Sequence, residues 1–498
     1  MMRFSPLSNR AHLIPWQEWG DEAFRCARVE NKPLMLFLAA FWCRYCQRMD
    51  EEAFSDTEVI ALLNAYFVPL RVDYAQRPDV DARYNLNGWP TIAFLAPGGT
   101  LLGAVNYLPA EEFKERLLDV YLGYQQANED LRDAVDKTDE PQASAWPLAD
   151  GELAGNLAQI TEGIMALADR THGGYDRSQK FIHPQVNDFL LARYVDTKDR
   201  RYLEQVCLTL ERMRGGELYD REGGAYFRTA SNPDWSHPHR EKLLVEQAGL
   251  LANCLSVLRL TERAEYRRMA EEIIEYLEGK LFDPASGVFC ACEDWLRKEN
   301  PAAGGAEFFT IVDRCFYTDA NAMTCAAYLD AAALLNRPQY RERALGGLDF
   351  LWQHCRDNEA GMLHYFDGTP HVPGLLQDQA QMGIALLRVY EVLKRVDFLQ
   401  RARRLAEFIL AALKNPAGGF YDIRAEAAAS LRVRLTLMEQ NGAAALFFLE
   451  LAALTNDATY RQAAQWALRP FTGDFAQYGV HAASYGQALG AWLSAPNP

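Results

Sequence analysis

The sequence has 498 residues, 49% hydrophobic and 24% charged, with a formal net charge of −16. At roughly 150 residues per domain, that length calls for two or three hydrophobic cores. The acidic balance, with no Lys/Arg stripe, excludes a nucleic-acid binder, which needs clustered cations against phosphate. No apolar run reaches the ~20 residues of a membrane span, so no membrane partner is expected. The first sixteen residues lack the apolar centre of a secretion signal. Ten scattered cysteines, close together only at Cys43/Cys46 and Cys290/Cys292, fit reduced thiols in a cytoplasmic protein better than a disulfide framework.

Residues 16–120 alternate helix and strand signals. The spacing predicts a helix over Trp16–Asn31, with Ala23, Phe24 and Ala27 on one face, and then a strand from Pro33 whose continuous apolar run suits burial on both faces. This strand leads into Phe41-Trp42-Cys43-Arg44-Tyr45-Cys46 and a helix to Phe54. A helix over Asp56–Ala65, a strand over Phe67–Asp73 and a helix over Asp79–Tyr84 follow. Next come Asn87-Gly88-Trp89-Pro90-Thr91, a strand over Ile92–Leu95, a turn at Gly98-Gly99, a strand over Leu101–Val105 and a helix from Pro109 to about Leu122. Cys43 falls at the first turn of a helix, where free N–H groups and the helix dipole favour a thiolate, and Arg44 adds a positive charge. Cys46, three residues on, shares its helix face and is placed to resolve a mixed disulfide. No second C-x-x-C or histidine pair lies nearby to complete a zinc site, so neither metal nor cofactor is expected.

This element order, with W-C-x-x-C at a strand-to-helix junction and G-x-P-T 47 positions after Cys43, resembles the thioredoxin fold. The resemblance implies a cis Pro90 beside the sulfurs, with Trp42, Arg44 and Pro90 supporting the Cys43–Cys46 site. It also marks a departure. Phe37 stands where thioredoxins bury an acid, so proton transfer from Cys46 should be slow.

From about Leu153 only helical patterns occur. They pair as 184–195 with 200–214, 243–258 with 262–280, 319–335 with 338–357, 378–395 with 398–414 and 437–454 with 458–469. The pair 482–493 with 153–169 closes a ring. Glycine turns bearing aromatics recur after the second helices: Gly173-Gly174-Tyr175, Gly223-Gly224-Ala225-Tyr226, Gly287-Val288-Phe289, Gly418-Gly419-Phe420 and the looser Gly361-Met362-Leu363-His364-Tyr365. Six hairpins with long repeats point to a closed (α/α)6 toroid rather than an open solenoid. The resulting division is 1–122 for the thioredoxin-like domain, 123–152 for a linker and 153–498 for the toroid.

Links within hairpins are short and links between them long, which puts the long loops and the N-termini of the inner helices on one face. His183, His237, His239, Glu241, Asp319, Asn321, Asp378, Glu439, Asn441, His481 and Tyr485 fall there. Asp319, Asp378 and Asn441 also suit helix capping. His239, Glu241, Asp319, Asp378 and Glu439 form the candidate site for a polar ligand.

Pro15-Trp16-x-x-Trp19-Gly20-Asp21-Glu22-Ala23-Phe24, Glu30-Asn31-Lys32-Pro33, Arg77-Pro78-Asp79-Val80-Asp81 and Pro238-His239-Arg240-Glu241-Lys242-Leu243-Leu244 carry a resemblance over nearly the full length. The chain resembles the thioredoxin-like proteins fused to a six-hairpin toroid, among them the bacterial YyaL type and the spermatogenesis-associated thioredoxin-like protein of animals. The resemblance implies a toroid similar to that of N-acylglucosamine 2-epimerases and six-hairpin glycosidases. Three functions remain open: a thiol–disulfide oxidoreductase acting on a protein or small-molecule disulfide partner, a carbohydrate epimerase or isomerase binding a sugar-like ligand, and a client-recruiting scaffold.

Overall fold

The computed structural model describes residues 2–126, 150–300, 305–427, 431, 433–473 and 475–495. The chain forms two compact units. The first is Met1–Asp139 with the segments Arg297–Phe308 and Ala425–Arg434; the second comprises the remainder. Most of the expected 123–152 linker, residues 127–149, lies outside the described residues.

The first unit runs α1 (Asp21–Glu30), β1 (Leu34–Ala39), α2 (Arg44–Glu51), α3 (Thr57–Tyr66), β2 (Val68–Asp73), α4 (Pro78–Tyr84), β3 (Thr91–Leu95), β4 (Leu101–Val105) and α5 (Ala110–Gln126). Its sheet has the order β2-β1-β3-β4, with β1 parallel to β2 and antiparallel to β3. This is the thioredoxin arrangement. All six residues of β1 are buried, as its unbroken apolar run requires. The first helix begins at Asp21 rather than Trp16, because Gln17 pairs with Leu70 at the sheet edge and the chain stays extended to Gly20.

The site expected to carry an acid is filled by the wholly buried Phe37, packed edge-on against Phe54 and beneath the Arg71 guanidinium. One buried acid of this unit, on α2, is Asp50. It takes two hydrogen bonds of 2.8 Å from Arg71 and one from the Ser5 N–H. Burial still raises its pKa, so desolvation outweighs the partner.

The second unit is a toroid. Six inner helices, α7 (Pro184–Thr197), α9 (Leu244–Thr261), α11 (Thr318–Leu334), α13 (Leu376–Leu393), α15 (Met438–Thr455) and α17 (Ala483–Ser494), each pack on the next, and α17 returns to α7. Outer helices α8 (Arg200–Gly215), α10 (Ala264–Tyr276), α12 (Pro338–His354), α14 (Val396–Phe408) and α16 (Ala458–Leu468) back the first five, and α6 (Asp150–Leu167) backs α17. The ring is tight enough to demand glycine at its seams. A Cβ on Gly442 would lie 2.8 Å from the Ser484 carbonyl carbon of the next inner helix.

One device repeats around the ring. Gln247, Asn321, Gln379 and Asn441 are each the fourth residue of an inner helix, and each carboxamide pairs with both backbone groups of one residue in a glycine turn. The partners are Tyr226 (3.2 and 2.7 Å), Phe289 (2.8 and 3.0 Å), Met362 (2.8 and 3.0 Å) and Phe420 (2.7 and 2.9 Å). All four side chains are fully buried. The carboxamide supplies one acceptor and one donor to a turn that has left the helix and would otherwise bury unpaired backbone. Two fully buried lysines do related work: Lys180 ties Asp169 to the Gly173 carbonyl, and Lys242 ties Asp220 to the Gly224 carbonyl.

Candidate functional site

In the first unit, Cys43 is the N-cap of α2 and is joined to Cys46 in a disulfide with Cα atoms 5.2 Å apart. Cys43 Sγ accepts from the Cys46 N–H at 3.1 Å. A sulfur so placed receives a free N–H and the positive end of the helix, both of which stabilise a thiolate after reduction. Both cysteines are largely buried. The Trp89–Pro90 bond is cis, as the resemblance implies. Trp42 packs edge-on against Tyr74 and Trp89, and the Trp89 indole N–H donates to Asp81 at 2.9 Å. That indole hydrogen bond fixes the aromatic wall beside the dithiol. Arg44 differs from expectation, since its guanidinium pairs with Glu51 at 2.9 and 3.1 Å, which offsets its charge.

The other eight cysteines stand outside this disulfide, and seven are buried. Burial pushes the Cys290 thiol up to about 11 and those of Cys254, Cys325 and Cys355 to about 12. They are protonated, unreactive core thiols.

In the toroid, the five expected residues do not form one group. Asp319 and Asp378, on adjacent inner helices, come together with His364 of the strand Gly361–Phe366, and their ligand atoms lie within 4.8 Å of one another. His364 Nδ1 lies 3.1 Å from both carboxylate oxygens of Asp378. Burial raises the Asp319 carboxyl to about 6, reinforced by the negative Asp378 and opposed by His364.

His239 and Glu241 have other partners. Residues 238–239 and 242–243 are short strands ahead of the inner helix, which starts only at Leu244. Exposed His239 pairs in register with Thr229, and buried Glu241 is held by Arg228 at 2.6 Å. Glu439 stands apart, solvent-accessible at the second position of α15. Desolvation raises its pKa, while His481 and His183 oppose the shift. Capping explains none of the three residues that suited it. The helices carrying Asp319, Asp378 and Asn441 have Tyr317, Leu375 and Leu437 as N-caps, without side-chain cap bonds.

The sequence reading missed His364, and it missed Glu246, Gln377 and Gln440 at the second or third positions of inner helices. Glu246 Oε2, Gln377 Oε1 and Gln440 Oε1 are buried acceptors without a hydrogen-bond partner. Burial raises Glu246 to about 8, and it raises Asp188, lower on α7, to about 7. The usable signal is position: inner-helix residues two and three point polar groups inward where residue four holds the turn.

The fold and the dithiol define the class: a thioredoxin-type domain and a six-hairpin, glycosidase-like toroid in one chain. Residues 6–144 match the Thioredox_DsbH family model, described as a protein of unknown function, DUF255. The chain is homologous to human spermatogenesis-associated protein 20, with 30% identity over 316 residues, which is 58% of this chain and 40% of the human protein. It therefore spans well under half the length of that relative. The thiol:disulfide interchange protein DsbD 1 of Pseudomonas aeruginosa is 39% identical over 105 residues, 20% of this chain and 17% of that protein. A sugar epimerase from a ruminal bacterium matches in fold at 14% identity with a TM-score of 0.55, over 66% of this chain and 87% of its own. No helix among the described residues is long and apolar enough to cross a membrane.

Proposed function

We propose that the protein is a thiol–disulfide oxidoreductase whose Cys43 thiolate attacks a partner disulfide and whose Cys46 resolves the mixed disulfide. One sulfur of the partner leaves as a thiolate in the first step. The second step forms the Cys43–Cys46 bond and releases the other, so the partner is reduced by two electrons as the pair is oxidised. The observation that carries this reading is the paired cysteine at the N-cap of α2, its sulfur accepting the Cys46 N–H. Similarity to an interchange protein over this same domain supports it. The Cys46→Ser variant should accumulate mixed disulfides through Cys43, and Cys43→Ser should not. Equal trapping by both variants, or none by either, refutes the assignment.

A second reading concerns the toroid, which we propose binds an oxygen-rich polar ligand of the sugar type. The unpartnered acceptors Glu246 Oε2, Gln377 Oε1 and Gln440 Oε1 favour it, since hydroxyl donors would satisfy them. The similarity in fold to a sugar epimerase agrees with it. A panel of aldoses, ketoses and disaccharides tested by saturation-transfer NMR against the full chain and against Gln440→Leu and Gln377→Leu checks it. Binding that both variants leave unchanged argues against these groups.

A further inference from the structure

We infer that Asp319, His364 and Asp378 form a site for a first-row divalent cation of the Mn²⁺ or Fe²⁺ type. This inference is independent of the thiol chemistry proposed for Cys43 and Cys46.

The three side chains come from two inner-helix starts and the strand between them, so the ring itself assembles them from positions up to 59 residues apart in sequence. His364 and Asp378 are almost wholly buried, and Asp319 is half-buried. The donor atoms suit a shared metal. Neighbouring ligands on an octahedral ion with bonds of ~2.1 Å stand ~3 Å apart, and opposite ligands ~4.2 Å apart. The 3.1 Å from His364 Nδ1 to each Asp378 oxygen is the spacing of neighbouring ligands, and Asp319 brings its carboxylate to within 4.8 Å of both residues.

The chemistry narrows the ion. Two carboxylates and one imidazole form a mainly hard set with one borderline donor, which suits Mn²⁺ or Fe²⁺ better than a thiolate-seeking ion. Charge points the same way, since two acids converge on one imidazole and two of the three groups are almost wholly buried. Three protein ligands leave coordination positions for water or for oxygens of a bound molecule, the arrangement of a working rather than a purely structural site.

The strand is fixed for this purpose. Gln379, the residue after Asp378, holds Met362 by two hydrogen bonds, and His364 lies two residues further along the same strand. One turn of α13 therefore supplies both a ligand and the clamp that positions a second one.

Mn²⁺ alone is the probe, titrated into the full-length reduced protein in millimolar Mg²⁺ and followed by electron paramagnetic resonance. The expected result is one tight Mn²⁺ per chain with a nitrogen-14 coupling from imidazole in the echo-modulation spectrum. His364→Gln should abolish the nitrogen coupling and weaken binding at least tenfold. Asp319→Asn, the least buried change, should weaken it at least tenfold while circular dichroism stays unchanged. Absence of tight binding overturns the inference, because Asp319, His364 and Asp378 would then be an ion-paired cluster only. Tight binding that survives both substitutions, or that shows no nitrogen coupling, overturns it equally.

Discussion

Replacing Gln379 with Leu puts an apolar side chain in its place and removes the clamp on the strand Gly361–Phe366. The carboxamide now accepts from the Met362 N–H at 2.8 Å and donates to the Met362 and Leu375 carbonyls at 3.0 Å each. The Met362 carbonyl keeps a second donor in the Gly374 N–H at 3.1 Å, so the Met362 N–H is the group that suffers most. An orphaned buried N–H costs about 1–3 kcal/mol, and the two lost donor bonds about 0.5–1.5 kcal/mol each. Better burial of Leu offsets part of this, leaving about 2–4 kcal/mol. Hydrogen exchange read by mass spectrometry isolates the effect better than global melting, because local opening of the strand does not require unfolding of the ring. Exchange in a peptide spanning 361–366 should accelerate about 30- to 1,000-fold, at about 1.4 kcal/mol per factor of ten. Peptides from the equivalent turn at Phe420, held by Asn441, should not change. Acceleration below threefold at 361–366 would show that the carboxamide clamp does not hold the turn.

Other consequences follow from packing and charge. Glu246 and Asp188 have folded pKa values raised to about 8 and about 7, so the folded state keeps protons that the unfolded chain has released. Toroid stability should therefore fall as pH rises from about 4 to 8, and Glu246→Gln should flatten the upper part of that fall in urea midpoints. Arg71→Met strands the buried Asp50 and should destabilise the first unit by about 3–5 kcal/mol; the pair Asp50→Leu/Arg71→Met should recover most of it in denaturant titration. Gly442→Ala pushes a methyl into the backbone of α17 and should cost about 1–3 kcal/mol, lowering the thermal midpoint. An unchanged midpoint would mean that the seam between α15 and α17 yields freely.

The thioredoxin elements were legible because each rests on local chemistry: an unbroken apolar strand, a C-x-x-C at a helix start, a glycine pair at a hairpin. Apolar spacing alone overextends the first helix, because Trp16 and Trp19 continue it, whereas sheet pairing by Gln17 decides the backbone there. The toroid was legible from paired helices and repeated glycine turns. Its site was only partly so. Periodicity places Asp319, Asp378 and Asn441 alike at helix starts, but one or two positions along a helix separate a mouth-facing carboxylate from a carboxamide that rivets the turn behind it. His364 was hidden in what read as a turn copy, since its partners sit at the starts of the two inner helices on either side of it, Asp319 far off in sequence. Glu241 misled because it lies between two short strands, too brief to show a period, where Arg228 takes its carboxylate.

The thiol chemistry stands or falls on the potential of one cysteine pair. Equilibration of the full chain with glutathione or dithiothreitol buffers, followed by alkylation and mass counting at Cys43 and Cys46, measures it directly. A single two-electron couple confined to these two residues is expected, with a midpoint between about −120 and −300 mV. A pair that never forms a disulfide across that range, or a couple spread over the buried cysteines, would contradict it.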